Sequence, residues 1–125
     1  MAAQPIVHID FPATNPVESG AFYAKVFAWP VEAPPGYADY PMFLSKSGPS
    51  GGFVPVSYAN EGMQFNVGEP LVYIGSEDID ADLQRVQANG GEIILTKREI
   101  PHVGWWAVFK DPGGNRVGLF TGAPH

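Results

Sequence analysis

The order strand, helix, several strands occurs twice along this chain, and that repeat restricts the fold more than any other feature. Ile6 to Phe11 reads as a strand, rich in β-branched and aromatic residues, with Ile6, His8 and Asp10 on one face and Val7, Ile9 and Phe11 on the other. Asn15-Pro16-Val17-Glu18 then starts a helix: Asn15 caps it, Pro16 suits the first turn, and Glu18 can reach back to the cap. Val17, Ala21, Ala24 and Ala28 recur at helical spacing, and Trp29-Pro30 ends the helix. Strands are expected at Pro41 to Lys46 and Gly52 to Ser57, across a Gly-Pro-Ser-Gly-Gly turn.

Residues 59 to 70 lack strand or helix periodicity and read as a connector, after which the pattern restarts. Leu71 to Gly75 is a strand, and Asp78 caps a helix whose Ile79, Leu83 and Val86 form the buried stripe. Gly90-Gly91 closes that helix, because glycine adopts the left-handed conformation at little cost. Strands follow at Glu92 to Lys97, Trp105 to Lys110 and Arg116 to Thr121, the last two joined by the turn Asp111-Pro112-Gly113-Gly114-Asn115. Two helices among so many strands predict an α+β domain rather than a doubly wound parallel sheet. A ferredoxin-like arrangement has too few strands for the C-terminal half. No glycine fingerprint for dinucleotides or phosphates sits at a strand-to-helix junction.

Composition removes several functions. At 125 residues the chain has the size of one domain, and its apolar share of 45% fits a globular core. The net charge is −6 with only seven Lys and Arg, which disfavours nucleic acid and suits cationic ligands. The absence of cysteine excludes disulfides, thiol nucleophiles and Cys-ligated zinc, and fits a cytoplasmic setting. No signal peptide and no membrane-spanning apolar run are expected.

His8 to Phe11, with Asn15 and Phe22 to Phe27, resembles the first module of the vicinal oxygen chelate superfamily, which includes glyoxalase I, bleomycin-resistance proteins and extradiol dioxygenases. Leu71 to Ile74, Glu77 to Asp80, Gly90-Gly91 and Phe109 to Phe120 resemble its second module. The resemblance implies two tandem βαβββ modules forming a curved, cup-like mixed sheet around a central cavity. Module one covers about 5–58, the connector about 59–69 and module two about 70–122. It also implies a homodimer and, in many members, a divalent metal held by His and Glu from four strands. By that resemblance the first ligand position is His8, the second Leu71 and the last Gly118, while the remaining strand, Gly52 to Ser57, carries no Asp, Glu or His. One matching ligand is too few for a divalent ion, even with Asp10 as a substitute, so a metal cofactor is disfavoured.

His8 and Asp10 are therefore the candidate acid–base pair, since a neighbouring carboxylate orients an imidazole and favours its protonated form. A polar pair satisfying itself beside the core is the bland alternative. Tyr73, Phe53, Met42 and one of Trp105 and Trp106 are candidates for an apolar ligand wall, weighed against ordinary core packing. His102 is expected in the loop before Gly104 at the cavity rim, a candidate ligand contact weighed against a solvated loop histidine, and Arg116, sharing a strand face with Gly118, is a candidate for a ligand carboxylate. Three functions follow: a metal-independent small-molecule binder or sequestering protein, an enzyme of the same superfamily (lyase, isomerase or dioxygenase) using His8, and an interaction module with a filled interior.

Overall fold

The computed structural model describes residues 3–60 and 62–122, with side chains at 59 and 60 left aside. The elements in chain order are β1 (Ile6–Ala13), α1 (Pro16–Phe27), β2 (Val31–Glu32), β3 (Met42–Phe43), β4 (Ser50–Pro55), β5 (Ala59–Asn60) and β6 (Met63–Gln64). They continue with β7 (Leu71–Gly75), α2 (Ile79–Ala88), β8 (Glu92–Ile100), β9 (Gly104–Lys110) and β10 (Arg116–Gly122). The protein is α+β, as its sequence predicts. The segment expected to be a plain connector holds the two-residue strands β5 and β6, which are too short to leave any periodicity in a sequence. Among the described residues no helix is long and apolar enough to cross a membrane.

The described residues form two compact units, one of residues 8–59 and 64–71, the other of residues 3–7, 60, 62–63 and 72–122. In the first, the strand order is β2-β3-β4-β1, with β1 parallel to β4 and the other neighbours antiparallel. In the second, the order is β7-β10-β9-β8, with β7 parallel to β10 and the rest antiparallel. Both sheets thus run first, last, third, second. The repeat read from the sequence is a repeat of topology.

Asn15 caps α1 by accepting from the Glu18 amide at 3.2 Å, and Pro16 stands in the first turn. The face α1 turns inward differs from the apolar spacing of its sequence. Pro16 and Gly20 are buried, whereas Val17, Phe22 and Val26 are exposed. The reason is aromatic packing: Tyr23 lies 5.5 Å from Phe11, 5.0 Å from Trp29 and 5.2 Å from Phe53 between ring centres. Gly20 lets the helix approach, since a β-carbon there would come within 2.9 Å of Val31. Phe43 and Phe53 complete the cluster.

Asp78 caps α2 through the Ala81 amide at 3.1 Å, and Ile79 and Leu83 pack with Ala107 and Leu119 as expected. Gly90 closes the helix at φ 94°. The buried Asp82 was not foreseen. Its carboxylate accepts from Ser76 Oγ at 2.5 Å and Gln4 Nε2 at 2.9 Å, and pairs with Arg85. Gln4 also donates to the Gly75 carbonyl at 2.9 Å, so Asp82 helps hold residues 3–5 beside β7. Burial pushes the Asp82 carboxyl upward, but the hydrogen bonds from Ser76, Gln4 and Arg85 and the Arg85 charge outweigh it and lower the pKa. A depressed folded-state pKa gives stability that is present at neutral pH and lost as pH falls through the acid range. Wild-type protein is therefore expected to lose thermal stability between about pH 5 and pH 3 more steeply than Asp82→Asn. At pH 7 the variant is expected to be weaker by about 1–2 kcal/mol. Parallel pH–melting curves for the two proteins would refute this role for Asp82.

Candidate functional site

On β1, alternation sends His8 and Asp10 to one face and Ile9 and Phe11 to the other. The pairing continues across the sheet: Asp10 is in register with Gly52 of β4, and Gly52 with Met42 of β3. His8, Asp10, Gly52 and Met42 therefore share the face opposite α1, while Phe53 lies on the helix side, 0% exposed, in the aromatic cluster. The structure brings Met42 into the row of His8 and Asp10 and gives Phe53 a packing role.

His8 and Asp10 are joined as the sequence suggests, His8 Nε2 lying 2.9 Å from Asp10 Oδ1. A third member arrives from the loop before β3. Tyr40 Oη stands 2.8 Å from the same His8 Nε2, and the phenol donates a hydrogen bond to Asp10 Oδ1. Two successive turns, Tyr37 N to Pro34 O at 3.0 Å and Tyr40 N to Tyr37 O at 3.0 Å, shape this loop. Tyr58 braces it by donating to Asp39 at 2.8 Å. The ring of Tyr40 lies across Gly52, where a β-carbon would come within 2.5 Å of it. Burial, then the charge and hydrogen bond of Asp10, push the Tyr40 phenol well above its ordinary pKa, so it stays protonated as a donor. Nothing in the sequence marked Tyr40: it stands in an irregular Pro- and Gly-containing stretch, and its partners are remote along the chain.

The second unit carries a similar pairing of a tyrosine ring with a glycine. On its sheet face away from α2, Tyr73 of β7 is in register with Gly118 of β10. A β-carbon on Gly118 would lie 2.4 Å from the Tyr73 ring. Trp106 joins Tyr73 at 6.3 Å between ring centres, whereas Trp105 packs against the α2 cluster with Lys97 Nζ 4.9 Å above its ring. Alternation along β9 puts only one of the two tryptophans on the Tyr73 face, and it is Trp106. Arg116 Nη1 lies 3.2 Å from Met63 Sδ. His102 is exposed in the turn between β8 and β9, at φ 66°.

A groove of about 760 Å³ opens beside α2, lined by Gln4, Ser76, Glu77, Asp82, Arg85 and Thr121 among others. None of the site residues named from the sequence lines it, and its buried carboxylate is already committed to Ser76, Gln4 and Arg85. Among the described residues no group of three or more His, Cys, Asp or Glu side chains gathers to hold a metal ion.

The match that decides the family spans residues 6–120, to a glyoxalase-like domain. The chain belongs to the glyoxalase-like family. That places it in the vicinal oxygen chelate superfamily, as the sequence resemblance indicates. It is similar to the anthracycline biosynthesis protein DnrV of Streptomyces peucetius, 28% identical over 91% of this chain and 47% of that protein. It is also similar to the anthracycline biosynthesis protein DauV of Streptomyces sp. strain C5, 27% identical over 91% and 47%. The chain thus spans about half the length of these curated relatives. Among solved structures, methylmalonyl-CoA epimerase from Mycobacterium tuberculosis superimposes with a TM-score of 0.73 at 13% identity, covering 99% of this chain and 94% of that one. At that identity the likeness speaks for the fold alone.

Proposed function

We propose that this glyoxalase-like protein binds a small molecule without a metal ion, at the sheet face that carries His8, Asp10 and Tyr40. The observation that carries this reading is the pair of tyrosine rings. In many superfamily members carboxylates help hold a metal, but here the last-strand position is Gly118 with Tyr73 across it, and the first sheet has Gly52 with Tyr40 across it. His8 Nε2 is engaged with Asp10 and Tyr40, so a metal at that nitrogen would have to break both contacts. Similarity to proteins of anthracycline biosynthesis makes an aromatic ligand the first class to try, and the net charge of −6 favours a cationic one. The superfamily enzymes supply the second reading, in which His8 acts as acid or base. The Asp10–Tyr40 clasp favours it, because a held imidazole is what proton transfer requires.

The test is a thermal melt of EDTA-stripped protein titrated with Ni²⁺, Co²⁺, Zn²⁺, Mn²⁺ and Fe²⁺, and separately with an anthracycline. A ligand bound to the native state alone stabilises by ~2.7 kcal/mol at a hundredfold excess over Kd. No metal is expected to raise the midpoint. The anthracycline is expected to raise it, and His8→Ala to weaken that binding about tenfold or more, the effect of one charge-assisted hydrogen bond. A metal-induced rise that His8→Ala abolishes would overturn the metal-free reading. Turnover of a bound compound, lost in His8→Ala while the fold survives, would select the enzyme.

A further inference from the structure

The clasp around His8 has a definite proton arrangement. Asp10 Oδ1 lies 2.9 Å from His8 Nε2 and Tyr40 Oη lies 2.8 Å from it. A carboxylate only accepts hydrogen bonds. A phenol has one proton, and here that proton is directed to Asp10 Oδ1. Toward His8, therefore, Tyr40 offers a lone pair. Both of these partners of Nε2 are acceptors, and two acceptors at hydrogen-bond distance from a nitrogen require it to carry the hydrogen.

We infer that Tyr40 is a positioning residue of this site: with Asp10 it holds neutral His8 as the Nε2-protonated tautomer, so that the basic nitrogen of the ring is Nδ1. The inference rests on His8 being the working group of the proposed site. It goes beyond that reading by adding a residue and by naming the atom that takes up a proton. Tyr40 also stands in an ordered frame. Its loop is folded by two turns, braced by Tyr58 through Asp39, and closed by Phe53 N donating to the Pro41 carbonyl at 2.9 Å. Its ring has room because residue 52 is glycine. With the same acceptor pair in place, Nε2 has no lone pair to give a metal while the clasp is closed.

Nitrogen NMR of uniformly ¹⁵N-labelled, ligand-free protein reads the tautomer directly, because protonated and unprotonated imidazole nitrogens resonate far apart. At a pH where His8 is neutral, Nε2 is expected to show the protonated shift and Nδ1 the unprotonated one. The expected preference is about fivefold to tenfold, the scale of one net hydrogen bond. Tyr40→Phe, which keeps the ring over Gly52 and removes the acceptor, is expected to move the two shifts toward each other as the other tautomer gains population. Asp10→Asn is expected to do the same, and it keeps the question open to test should Tyr40→Phe fail to fold. Wild-type His8 protonated at Nδ1 would overturn the tautomer. Unchanged His8 shifts in a folded Tyr40→Phe would overturn the role of Tyr40. Neither result depends on finding a ligand, so failure here is distinguishable from failure of the binding proposal, which the melts decide.

Discussion

Phe53→Ala is expected to cost about 3–5 kcal/mol, the usual penalty for deleting a fully buried aromatic side chain. Phe53 is 0% exposed and stands between Phe11 at 5.7 Å, Tyr23 at 5.2 Å and Phe43 at 6.0 Å, measured between ring centres. Alanine would leave a cavity under α1 that rigid neighbouring rings can fill only in part. Domains of this kind are stable by about 5–15 kcal/mol, so the variant would keep little in reserve. The loss would reach the opposite face too, since β4 presents Gly52 to Tyr40 one residue away. Urea denaturation gives the number, and His8 nitrogen shifts report whether the clasp survives. A cost below about 1.5 kcal/mol would mean that the cluster collapses to fill the space, and that Phe53 is less central than its burial implies.

Gly118→Glu is the second large effect. It puts a carboxylate back where the superfamily resemblance sets the last-strand metal ligand. The expected result is destabilisation of about 3 kcal/mol or more, with no gain of metal binding. Two costs add. Any β-carbon at residue 118 meets the Tyr73 ring at 2.4 Å, and Tyr73, only 5% exposed, has little room to retreat. A carboxylate buried beside Tyr73 and Val108 would also lose its hydration. Adding Tyr73→Ala should recover part of the loss, because it removes the ring that clashes. A double-mutant cycle on the melting free energies measures that coupling, expected at about 1–3 kcal/mol. A stable single variant whose midpoint climbs with added Zn²⁺ or Ni²⁺ would show that the ring does not fill the ligand position.

The exposed side chains of α1 bear on both experiments. Val17, Phe22, Val26 and Phe27 are 54–61% exposed, so destabilised variants have apolar surface at hand for association. Denaturation is therefore best compared at several protein concentrations.

Much of this protein was legible residue by residue. The Asn15 and Asp78 caps, the Gly90 helix end and the Asp111–Asn115 turn follow from interactions reaching no further than four residues. Strand alternation put His8 beside Asp10 and separated Trp105 from Trp106, because side chains two apart on a strand share a face. The recurrence of these local signals then disclosed the doubled module.

The remaining features depend on contacts between distant residues. Tyr40 reaches His8 across 32 positions through an irregular loop, and Gln4 reaches Asp82 across 78. No periodicity encodes either contact. The inward face of α1 was settled by ring packing on Tyr23 and by close approach at Gly20, which overrode the apolar spacing of the helix itself. Most telling are Gly52 and Gly118. In the sequence Gly118 is only a missing ligand, and Gly52 only the start of a strand without Asp, Glu or His. In the folded sheets they are the spaces into which tyrosine rings fit, because the register of neighbouring strands and the path of a loop decide what stands over a glycine, and both are properties of the packed chain.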